Sequence, residues 1–597
     1  MMLKRVFKHF HFCCGLGGGA KGFNRARSVV GNMLGTWQCI GGVDVDPVGL
    51  RDFERLAGVP GTQLDLFTRD QYVRFHGKEP PPGWREATAE DIRRAAGYQR
   101  PDAIFISSPC KGASGLLSEK MSLTPKYQAL NELTLRCIWL MGEAWPDDPV
   151  PLIVFENVPR LVTRGRHLLD QINKLLSHYG YASAETTHDC GVIGGLAQSR
   201  KRFLLVARHI EKVPPFLYEP EKKTLKSVGS ILGRMPMAGD IEAAGPMHRV
   251  PSLHWKTWVR LALVQAGKDW RSLNDLAIED GYLRDFVIVP EAYGGYLGVN
   301  KWNDSMGVVA GRSRPTNGAF SVADPRARDG ALQYQQYGVR RWDETSGAVI
   351  GVKSPGQGTF SVADPRPAGV RHNNVYRVCK MDGATGTVTG GQSPSAGRQC
   401  IADPRRPGEG FGKYLVTPWD QAAGTVIAGS TTGQGAFAVQ DPMPGMRREK
   451  GDAYFAGGHY GVVDWNGQAG AVSASARQDN GRWSVADPRM PEPSEKLTCV
   501  IESLDGTWHR PFTTLELAAL QSLVEPEEWL ELDGLSDQAW RERIGNAVPP
   551  AAAEAIAQVM GTTLLLAEAG ETFILSNMPI WVQPVALGLS VSQQVTP

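Results

Sequence analysis

Short apolar runs alternate with longer amphipathic stretches over residues 12–208. The apolar runs lie around residues 40–45, 103–106, 152–155 and 203–207. Strands that alternate with helices form a mostly parallel sheet with helices on both faces. The pattern therefore predicts an α/β domain in which ligands bind where strand ends meet loops.

A second pattern begins near residue 291, where five units of about 40 residues repeat. Each unit opens on a tyrosine, has Trp (Met in the third) five or six positions later and closes on Asp-Pro. The tyrosines are Tyr296, Tyr337, Tyr376, Tyr414 and Tyr460, and the Asp-Pro pairs begin at Asp324, Asp364, Asp403, Asp441 and Asp487. Within a unit, β-branched and aromatic residues lie between Gly and Pro turns, which predicts short strands and no long helices.

The two patterns divide the chain into successive parts. We expect an α/β domain over 1–209, a connector over 210–290, the repeats over 291–492 and a return to the α/β domain over 493–570. Helices are expected at 255–266, 514–523 and 551–566. The tail, 571–597, has no strong periodicity and receives no assignment.

Composition narrows the class of protein. The chain has 597 residues, of which 42% are hydrophobic and 21% charged, as in soluble globular proteins. No uninterrupted apolar run reaches the length of a membrane span, so we expect a cytoplasmic protein without membrane contact. The nine cysteines form no C-x-x-C pair, which favours reduced thiols and no structural metal.

Chemically active residue types lie beside the apolar runs. Cys110 follows the run at 103–106, Glu156 follows the run at 152–155, and Arg200 and Arg202 precede the run at 203–207. Each alone has a plainer explanation, as a buried thiol, a helix cap or a solvated strand edge. Together and in this order they suggest a nucleophile, an acid and cations for one substrate.

A glycine-rich turn at residues 14–22 precedes these motifs. Glycine permits positive φ angles and lets the backbone approach a ligand closely. Asp44, at the end of the next run, has the position of a ribose ligand, and Asp65 has that of an adenine ligand. The turn lacks a Lys-Ser or Lys-Thr pair, which argues against a nucleoside triphosphate.

These motifs, taken in order, resemble those of the DNA cytosine-C5 methyltransferases. The likeness covers about residues 12–208 and 500–566. It rests on Pro109-Cys110, Glu156-Asn157-Val158, Gln198-x-Arg200-x-Arg202, Arg510-Pro511-Phe512 and Gly545-Asn546-Ala547-Val548-Pro549-Pro550. The chain departs from the family at Lys111, where Gln is usual, and at Cys13, where an aromatic residue is common.

The resemblance implies a Rossmann-like, S-adenosylmethionine-dependent domain with an inserted, mainly β, recognition region. It makes Cys110 the nucleophile that adds to cytosine C6, Glu156 the contact to N3 and the amine, and Arg200 and Arg202 contacts to the base. The residues it assigns to S-adenosylmethionine are Cys14, Gly15, Gly17, Gly18, Asp44, Asp65, Pro109, Asn546 and Val548.

The implied partner is double-stranded DNA, from which the target cytosine is flipped, with a cognate restriction endonuclease as a further candidate partner of a monomeric enzyme. The repeats would contact DNA, with Arg326, Arg366, Arg405 and Arg489 as candidate phosphate ligands. In the plainer alternative, each Asp-Pro-Arg is a turn in which Asp pairs with Arg. Two other functions stay open: methylation of RNA cytosine, and DNA binding without catalysis.

Overall fold

The computed structural model describes residues 2–109, 124–279, 282–283, 286–290, 458–473, 476–491, 500–571 and 579–582, and the backbone of short strands between 299 and 380. Cys110 and Lys111 lie outside the described residues. So do most residues of the first four repeat units, including Arg326 and Arg405.

An eight-stranded sheet forms the α/β domain. Its strands are β1 Leu3–Phe12, β2 Arg27–Val30, β3 Met33–Asp44, β4 Thr62–Gln63, β5 Ala103–Ile106, β6 Leu152–Asn157, β7 Tyr181–Asp189 and β8 Lys201–His209. The order is β2-β3-β1-β5-β6-β8-β7, and β4 pairs with β3. The central pairs are parallel, as expected, whereas β2, β7 and β8 run antiparallel to their neighbours.

Helices cover both faces of this sheet. They are α1 Gly18–Arg25, α2 Pro47–Ala57, α3 Arg69–His76, α4 Ala89–Ala95, α5 Pro125–Ala144, α6 Leu161–Arg164, α7 Arg166–His178 and α8 Cys190–Gly194. Successive residues of β5 enter different cores: Ile104 and Ile106 pack with α5 and α7, whereas Phe105 packs on the face covered by α1. Burial on both faces explains why this strand is an unbroken apolar run.

The chain continues with short elements and a second group of helices. The strands are β9 Leu217–Tyr218, β10 Ile278–Glu279, β11 Tyr282–Leu283, β12 Phe286–Pro290, β13 Val299–Asn300, β14 Ser321–Val322, β15 Val339–Arg341, β16 Ser361–Ala363, β17 Val375–Lys380, β18 Val462–Val463, β19 Ser484–Asp487, β20 Val500–Glu502, β21 Trp508–Pro511 and β22 Ile580–Val582. The helices are α9 Val228–Leu232, α10 Ile241–Ala244, α11 Trp255–Leu263, α12 Thr514–Leu520, α13 Asp537–Asn546 and α14 Pro550–Ala569, with 3-10 turns at Pro246–His248 and Trp270–Asp275.

A second sheet joins the repeats to the returning chain. Its order is β12-β17-β20-β21-β19-β18, and α11 packs on it through Trp258 and Leu261. The strands β20 and β21 were expected to belong to the α/β domain, but they pair with strands of the repeats. The element that returns to the α/β domain is α14, whose residues Ile556 and Met560 pack with Phe23 of α1.

The tail and α14 add two details. In the tail, which the sequence left unassigned, β22 pairs antiparallel with β9. Among the described residues, one helical segment, 537–569, is long and apolar enough to cross a membrane. Its most apolar window is 72% buried inside the protein, as in a core helix.

Three of the five repeat units have the same strand pairing. In each, two short parallel strands pair residue 299 with 321, residue 339 with 361, and residue 462 with 484. The separation along the chain is the same in all three. The short strands predicted from the repeat are therefore present in the first, second and fifth units.

A buried ionic cluster stabilises the second sheet at the end of the fifth unit. Arg510 donates to Asp487 at 2.7 Å and to Glu516 at 2.7 Å, and all three side chains are inaccessible to solvent. Burial acts to raise the pKa of each carboxyl, but Arg510, together with Arg489 at Asp487 and the N–H of Thr513 at Glu516, outweighs it, so both pKa values are lowered. Both carboxyl groups are thus ionised at neutral pH. Each charged group of the cluster is stabilised by the opposite charge of its neighbours.

Replacing Arg510 with methionine is expected to lower the free energy of unfolding by about 3–5 kcal/mol at pH 7, because Glu516 stays buried without a cation and Asp487 keeps only Arg489. Since both carboxyl pKa values are lowered in the folded state, the stabilisation exists above their unfolded values near 4 and is lost as the pH falls. Urea unfolding at several pH values measures this. The difference from wild type should shrink below about pH 4.

Arg51→Met is the matched control, since Arg51 pairs with Asp533 but its side chain is 54% exposed. Its unfolding midpoint should stay close to that of wild type. Equal effects of the two substitutions would contradict the buried cluster.

Candidate active site

Glu156 lies at the end of β6, between an arginine and a serine from the neighbouring strands. The Nε atom of Arg202, in β8, is 2.9 Å from one carboxylate oxygen of Glu156. Ser107, directly after β5, donates to the other oxygen at 3.3 Å. Because β5, β6 and β8 are adjacent in the sheet, residues far apart in sequence converge here. The carboxyl group is 7% exposed and has a fixed orientation.

The segment that leads to Cys110 is anchored from two sides. The side-chain amide of Asn157 donates to the carbonyl of Ser108 at 3.4 Å. The hydroxyl of Ser108 lies 2.5 Å from that of Thr134 in α5, and either oxygen can be the donor. Pro109 follows and is exposed. The strand end that precedes Cys110 is thus held beside Glu156, although Cys110 itself lies outside the described residues.

Arg200 occupies a different environment from Arg202. It is 1% exposed, and its guanidinium donates to four oxygens: the carbonyls of Val472, Gly545 and Ala547 and the side chain of Gln521, at 2.8–3.0 Å. Burial lowers its pKa to about 9, so it remains protonated at neutral pH. The expected base contact does not fit this placement. Arg200 joins three distant chain segments, and Arg202 is the arginine that faces Glu156.

Asp189 is a functional residue that the sequence analysis missed. One carboxylate oxygen accepts from the backbone N–H groups of Gly191 and Arg200, at 2.8 and 2.7 Å. The other oxygen accepts from the hydroxyl of Ser199 at 2.5 Å. Asp189 therefore fixes the turn that carries Arg200. Its position just before Cys190-Gly191 is typical of a helix N-cap, a signal that the sequence contains.

The glycine-rich turn connects β1 to α1 and is built on unusual backbone angles. Cys13, Gly15 and Gly17 have φ values of 52°, 51° and 93°. Asp44 accepts from the N–H of Gly15 at 2.9 Å and from that of Asp46 at 3.0 Å. Burial raises the pKa of Asp44. A carboxylate has about four acceptor sites, so Asp44 can still accept from a ligand hydroxyl.

The returning chain closes the opposite side of this turn. The carbonyl of Val548 lies so close to Gly18, and that of Pro550 so close to Gly22, that a Cβ atom at either glycine would collide. Val548 is buried, whereas Asn546 is exposed at the end of α13. The structure thus brings Gly18 and Val548, 530 positions apart in the sequence numbering, into contact.

Asp65 is held by its own neighbourhood. One oxygen accepts from the N–H of Phe67 at 3.0 Å, and the other accepts from the indole of Trp84 at 3.1 Å. One lone pair on each oxygen is left for a ligand. A hydrogen bond from an adenine amine, the expected role, would therefore be formed in addition to these two bonds.

His9, His11 and Cys39 form a group of potential metal ligands beneath the turn. The orientation of Asn24 is fixed, since its amide nitrogen donates to Ala57 and its oxygen accepts from the N–H of Cys39. The same oxygen accepts from Nε2 of His9, so Nδ1 of His9 accepts from His11 at 2.8 Å. Burial lowers the pKa of His9 to about 3, and both rings are neutral. The hydrogen bonds from His11 to His9 and from His9 to Asn24 therefore explain why the two rings lie so close together.

The described part of the repeats decides between the two interpretations of Asp-Pro-Arg in the fifth unit. Arg489 donates to Asp487 through its backbone N–H at 2.9 Å and its side chain at 3.0 Å, and also to the carbonyls of Leu232 and Met235. Its guanidinium stacks on the ring of Trp465 at 5.0 Å. The hypothesis that Arg489 contacts phosphate is wrong for this conformation, because neighbouring groups take its donors.

The different environments of the two arginines lead to a test. Arg200→Lys is expected to lower the free energy of unfolding by about 2–4 kcal/mol, because one ammonium cannot serve four oxygens and leaves buried acceptors unpaired. Arg202→Lys keeps a cation beside Glu156 and should lower it by less than about 1 kcal/mol. Urea unfolding of both variants measures the difference. The reverse order of the two effects would overturn the assigned environments.

Part of the chain matches a known family. Residues 82–257 match the family described as C-5 cytosine-specific DNA methylase. No curated protein matches the chain. Among solved structures it is similar to S. pombe Dnmt2 methyltransferase, with 10% identity and a TM-score of 0.37, covering 93% of this chain and 98% of that one.

Two further solved structures are similar over a smaller part. Entamoeba histolytica methyltransferase EhMeth has 14% identity and a TM-score of 0.29, over 44% of this chain and 68% of that one. A variant of Spodoptera frugiperda DNMT2 has 17% identity and a TM-score of 0.29, over 44% and 66%. The sheet and the family match together identify a mixed α/β, Rossmann-like methyltransferase fold, and residues 82–257 support placing the chain among the C-5 cytosine methyltransferases.

Proposed function

We propose that the protein is a DNA cytosine-5 methyltransferase that acts on a cytosine flipped out of duplex DNA. The observation that carries the proposal is the convergence at the strand ends: β6 presents Glu156 paired to Arg202, and the adjacent β5 leads through Pro109 to Cys110. A nucleophile, an acid and a cation side by side suit chemistry on a polar ring.

The reaction needs a covalent adduct because cytosine C5 is a weak nucleophile. The thiolate of Cys110 adds to C6, and the electron pair displaced from the C5–C6 bond makes C5 nucleophilic. S-adenosylmethionine supplies the electrophilic methyl group. After C5 has accepted the methyl group, loss of the C5 proton to a base expels the thiolate and restores the ring.

Glu156 and Arg202 have complementary roles in this sequence. A carboxylic acid at N3 offsets the negative charge that develops when the thiolate adds. The guanidinium of Arg202, 2.9 Å from Glu156, orients that carboxyl group, and its remaining N–H groups would donate to the O2 oxygen of the cytosine. Ser107 fixes the second oxygen of Glu156, so the group presents one defined face to the base.

The glycine-rich turn fits the methyl donor. Its residues Gly15 and Gly17 have positive φ angles, Gly15 is partly exposed, and Asp44 accepts from the N–H of Gly15 beside it. Cys14, Gly18, Asp65, Pro109, Asn546 and Val548 complete the set of residues that we assign to S-adenosylmethionine. The carbonyl of Val548 lies against Gly18 and covers one side of the turn, which supports this assignment.

Two alternatives differ in substrate or in activity. An RNA cytosine methyltransferase would use the same residues, but the long insertion between Arg202 and Arg510 favours a duplex that must be read over an extended surface. A protein that binds DNA without catalysis is suggested by Lys111 in place of the usual glutamine. Activity on defined substrates separates all three.

Cys110→Ser is expected to abolish methyl transfer to duplex DNA, because an alcohol at this position does not add to C6. Incorporation of label from S-adenosylmethionine into DNA and into RNA measures it, and a 5-fluorocytosine duplex should trap the wild type but not the variant. Cys400→Ser is the control, since Ser321, Ser361 and Ser484 take this position in three other units. Label on RNA alone, or on neither polymer with the wild type, would refute the proposal.

Glu156→Gln is expected to slow methyl transfer about 10²-fold or more, because an amide cannot protonate N3. Single-turnover assays with excess enzyme measure the chemical step. The substitution is isosteric but leaves Arg202 without its anionic partner, so the rates are compared at a temperature at which urea or thermal unfolding shows both proteins to be folded. Glu185→Gln, which alters a half-buried carboxyl paired with the exposed Arg166, is the matched control. A rate for Glu156→Gln within twofold of the wild type would remove Glu156 from the mechanism.

A further inference from the structure

A buried charge pair, Asp52 in α2 and Arg543 in α13, connects two parts of the chain that meet at the glycine-rich turn. Asp52 is inaccessible to solvent, and the side chain of Arg543 is 12% exposed. The Nε atom of Arg543 lies 2.8 Å from one carboxylate oxygen of Asp52. Neither residue belongs to a motif on which the family resemblance rests, so the resemblance gives them no role.

Helix α2 forms one side of the glycine-rich turn. Its residue Phe53 packs so closely on Gly17 that a Cβ atom at position 17 would lie 3.0 Å from the ring. The N-cap of the helix is Asp46, and the N–H of Asp46 donates to Asp44 at 3.0 Å. Asp44 also accepts from the N–H of Gly15. A displacement of α2 would therefore displace the turn and the proposed ribose ligand with it.

The end of α13 leads to the other side of the turn. The helix ends at Asn546, one turn after Arg543. The carbonyl of Val548 then lies against Gly18, where a Cβ atom would collide with it. The residues assigned to S-adenosylmethionine are thus divided between two parts of the chain, one held by α2 and one by α13. A ligand that contacts both parts requires a defined separation between them.

The backbone of Asp533 completes the connection between the two helices. Its N–H donates to the second carboxylate oxygen of Asp52 at 2.7 Å. Its carbonyl accepts from the guanidinium of Arg543 and, at 3.0 Å, from the indole of Trp540. Asp52, Arg543 and Asp533 therefore form a closed ring of contacts. Polar contacts are directional, so such a ring fixes a separation that apolar packing alone would leave adjustable.

The charge pair adds little to stability. The N–H on Nε of Arg543 does not point at the carboxylate oxygen that it touches, so the two charges are in contact without a hydrogen bond. Burial outweighs the attraction of Arg543 and the bond from Asp533, and it raises the pKa of Asp52. At Asp487 the balance is the opposite, and the pKa is lowered. A buried charge whose cost is not offset calls for an explanation other than stability.

We propose that Asp52 and Arg543 are positioning residues for the methyl donor, which hold α2 and the segment around Val548 at the separation that S-adenosylmethionine requires. The inference rests on the proposed function, because it concerns the cofactor of that reaction. Residues that support a binding site from behind act mainly on affinity, since a site that is looser by about 1 Å loses much of its binding energy.

Asp52→Asn is the first test. It keeps the size of the side chain and an acceptor for the N–H of Asp533, but it removes the charge that holds Arg543. The probe is S-adenosylhomocysteine, the product that remains when the methyl group has been transferred, and titration calorimetry measures its binding. We expect the dissociation constant to rise about tenfold or more.

The same substitution should leave stability almost unchanged. Because the pKa of Asp52 is raised in the folded state, its ionised form is disfavoured there at neutral pH, and the loss of the charge removes a cost. The unfolding temperature should therefore fall by less than about 2 °C. A purely structural role would predict the reverse, a loss of stability without a specific loss of cofactor affinity.

Arg543→Met removes the other partner and should weaken binding of the probe in the same direction. Because the two residues act as one unit, the double variant Asp52→Asn with Arg543→Met should bind no more than about twofold more weakly than the weaker of the two single variants. Effects that multiply in the double variant would contradict a shared role.

Two controls separate position from stability. Arg51→Met removes an exposed ion pair that also joins α2 to Asp533. Leu176→Ala removes a fully buried side chain of α7, in a core that contains no residue of α2 or α13. Both variants should bind the probe within about twofold of the wild type, although Leu176→Ala should unfold at least about 4 °C lower.

Methyl transfer gives a second readout. In Asp52→Asn, KM for S-adenosylmethionine should rise with the dissociation constant of the probe. The value of kcat at saturating cofactor should stay within about threefold of the wild type, because the pair of Glu156 and Arg202 is not altered. A fall in kcat with unchanged KM would overturn the assigned role.

The binding experiment distinguishes the inference from the proposed function. A wild type that does not bind S-adenosylhomocysteine would refute the proposed function, and the inference with it. A wild type that binds, with Asp52→Asn and Arg543→Met within twofold of it, would overturn the inference alone. The inference would also be wrong if Leu176→Ala weakened binding as much as Asp52→Asn.

Discussion

The region around Glu156 and Arg202 depends on the hydrogen bonds that the buried guanidinium of Arg200 donates. The guanidinium satisfies oxygens from three segments that the chain order keeps far apart: Val472 in the fifth repeat, Gln521 directly after α12, and the Gly545 and Ala547 carbonyls. A buried cation is costly unless it is paired, and each terminal nitrogen of Arg200 donates to two of these oxygens, so the segments must meet it in one arrangement. The same arrangement sets the strand β8, which presents Arg202 to Glu156 two residues further on.

Arg200 also explains how a split domain behaves as one unit. The α/β sheet, the second sheet and the returning helices each have their own apolar core. Apolar contacts alone would allow these cores to slide, since dispersion is not directional. The oriented bonds of Arg200, and those of Arg510 to Asp487 and Glu516, fix their register instead.

The sequence predicted those parts of the fold whose signals are local. The run at 103–106 is strand β5 to the residue, and the run at 152–155 lies within β6, because strands buried on both faces are apolar without interruption. Glu156 and the two arginines could be assigned to one site from motif order alone. The antiparallel strand β7 alternates less clearly, and it did not stand out.

What the sequence could not predict depends on distant contacts. No local pattern distinguishes Arg200, which is buried against carbonyls, from Arg202, which faces a carboxylate. Likewise β20 and β21 pair with repeat strands because of where the chain returns, not because of their composition. The contacts of Arg489 could not be predicted for the same reason, since its partners Leu232 and Met235 lie in the connector, far away in the sequence.

The contact of Val548 with Gly18 has a consequence for biosynthesis. The ribosome makes the glycine-rich turn first and the Val548 segment that lies against it last, with the connector and the repeats in between. At roughly 5–20 residues per second, the nascent sheet waits on the order of half a minute or more for α14 to emerge. During that interval the face of α1 that packs with Ile556 and Met560 lacks this cover, so complete burial of α1 must follow the synthesis of α14.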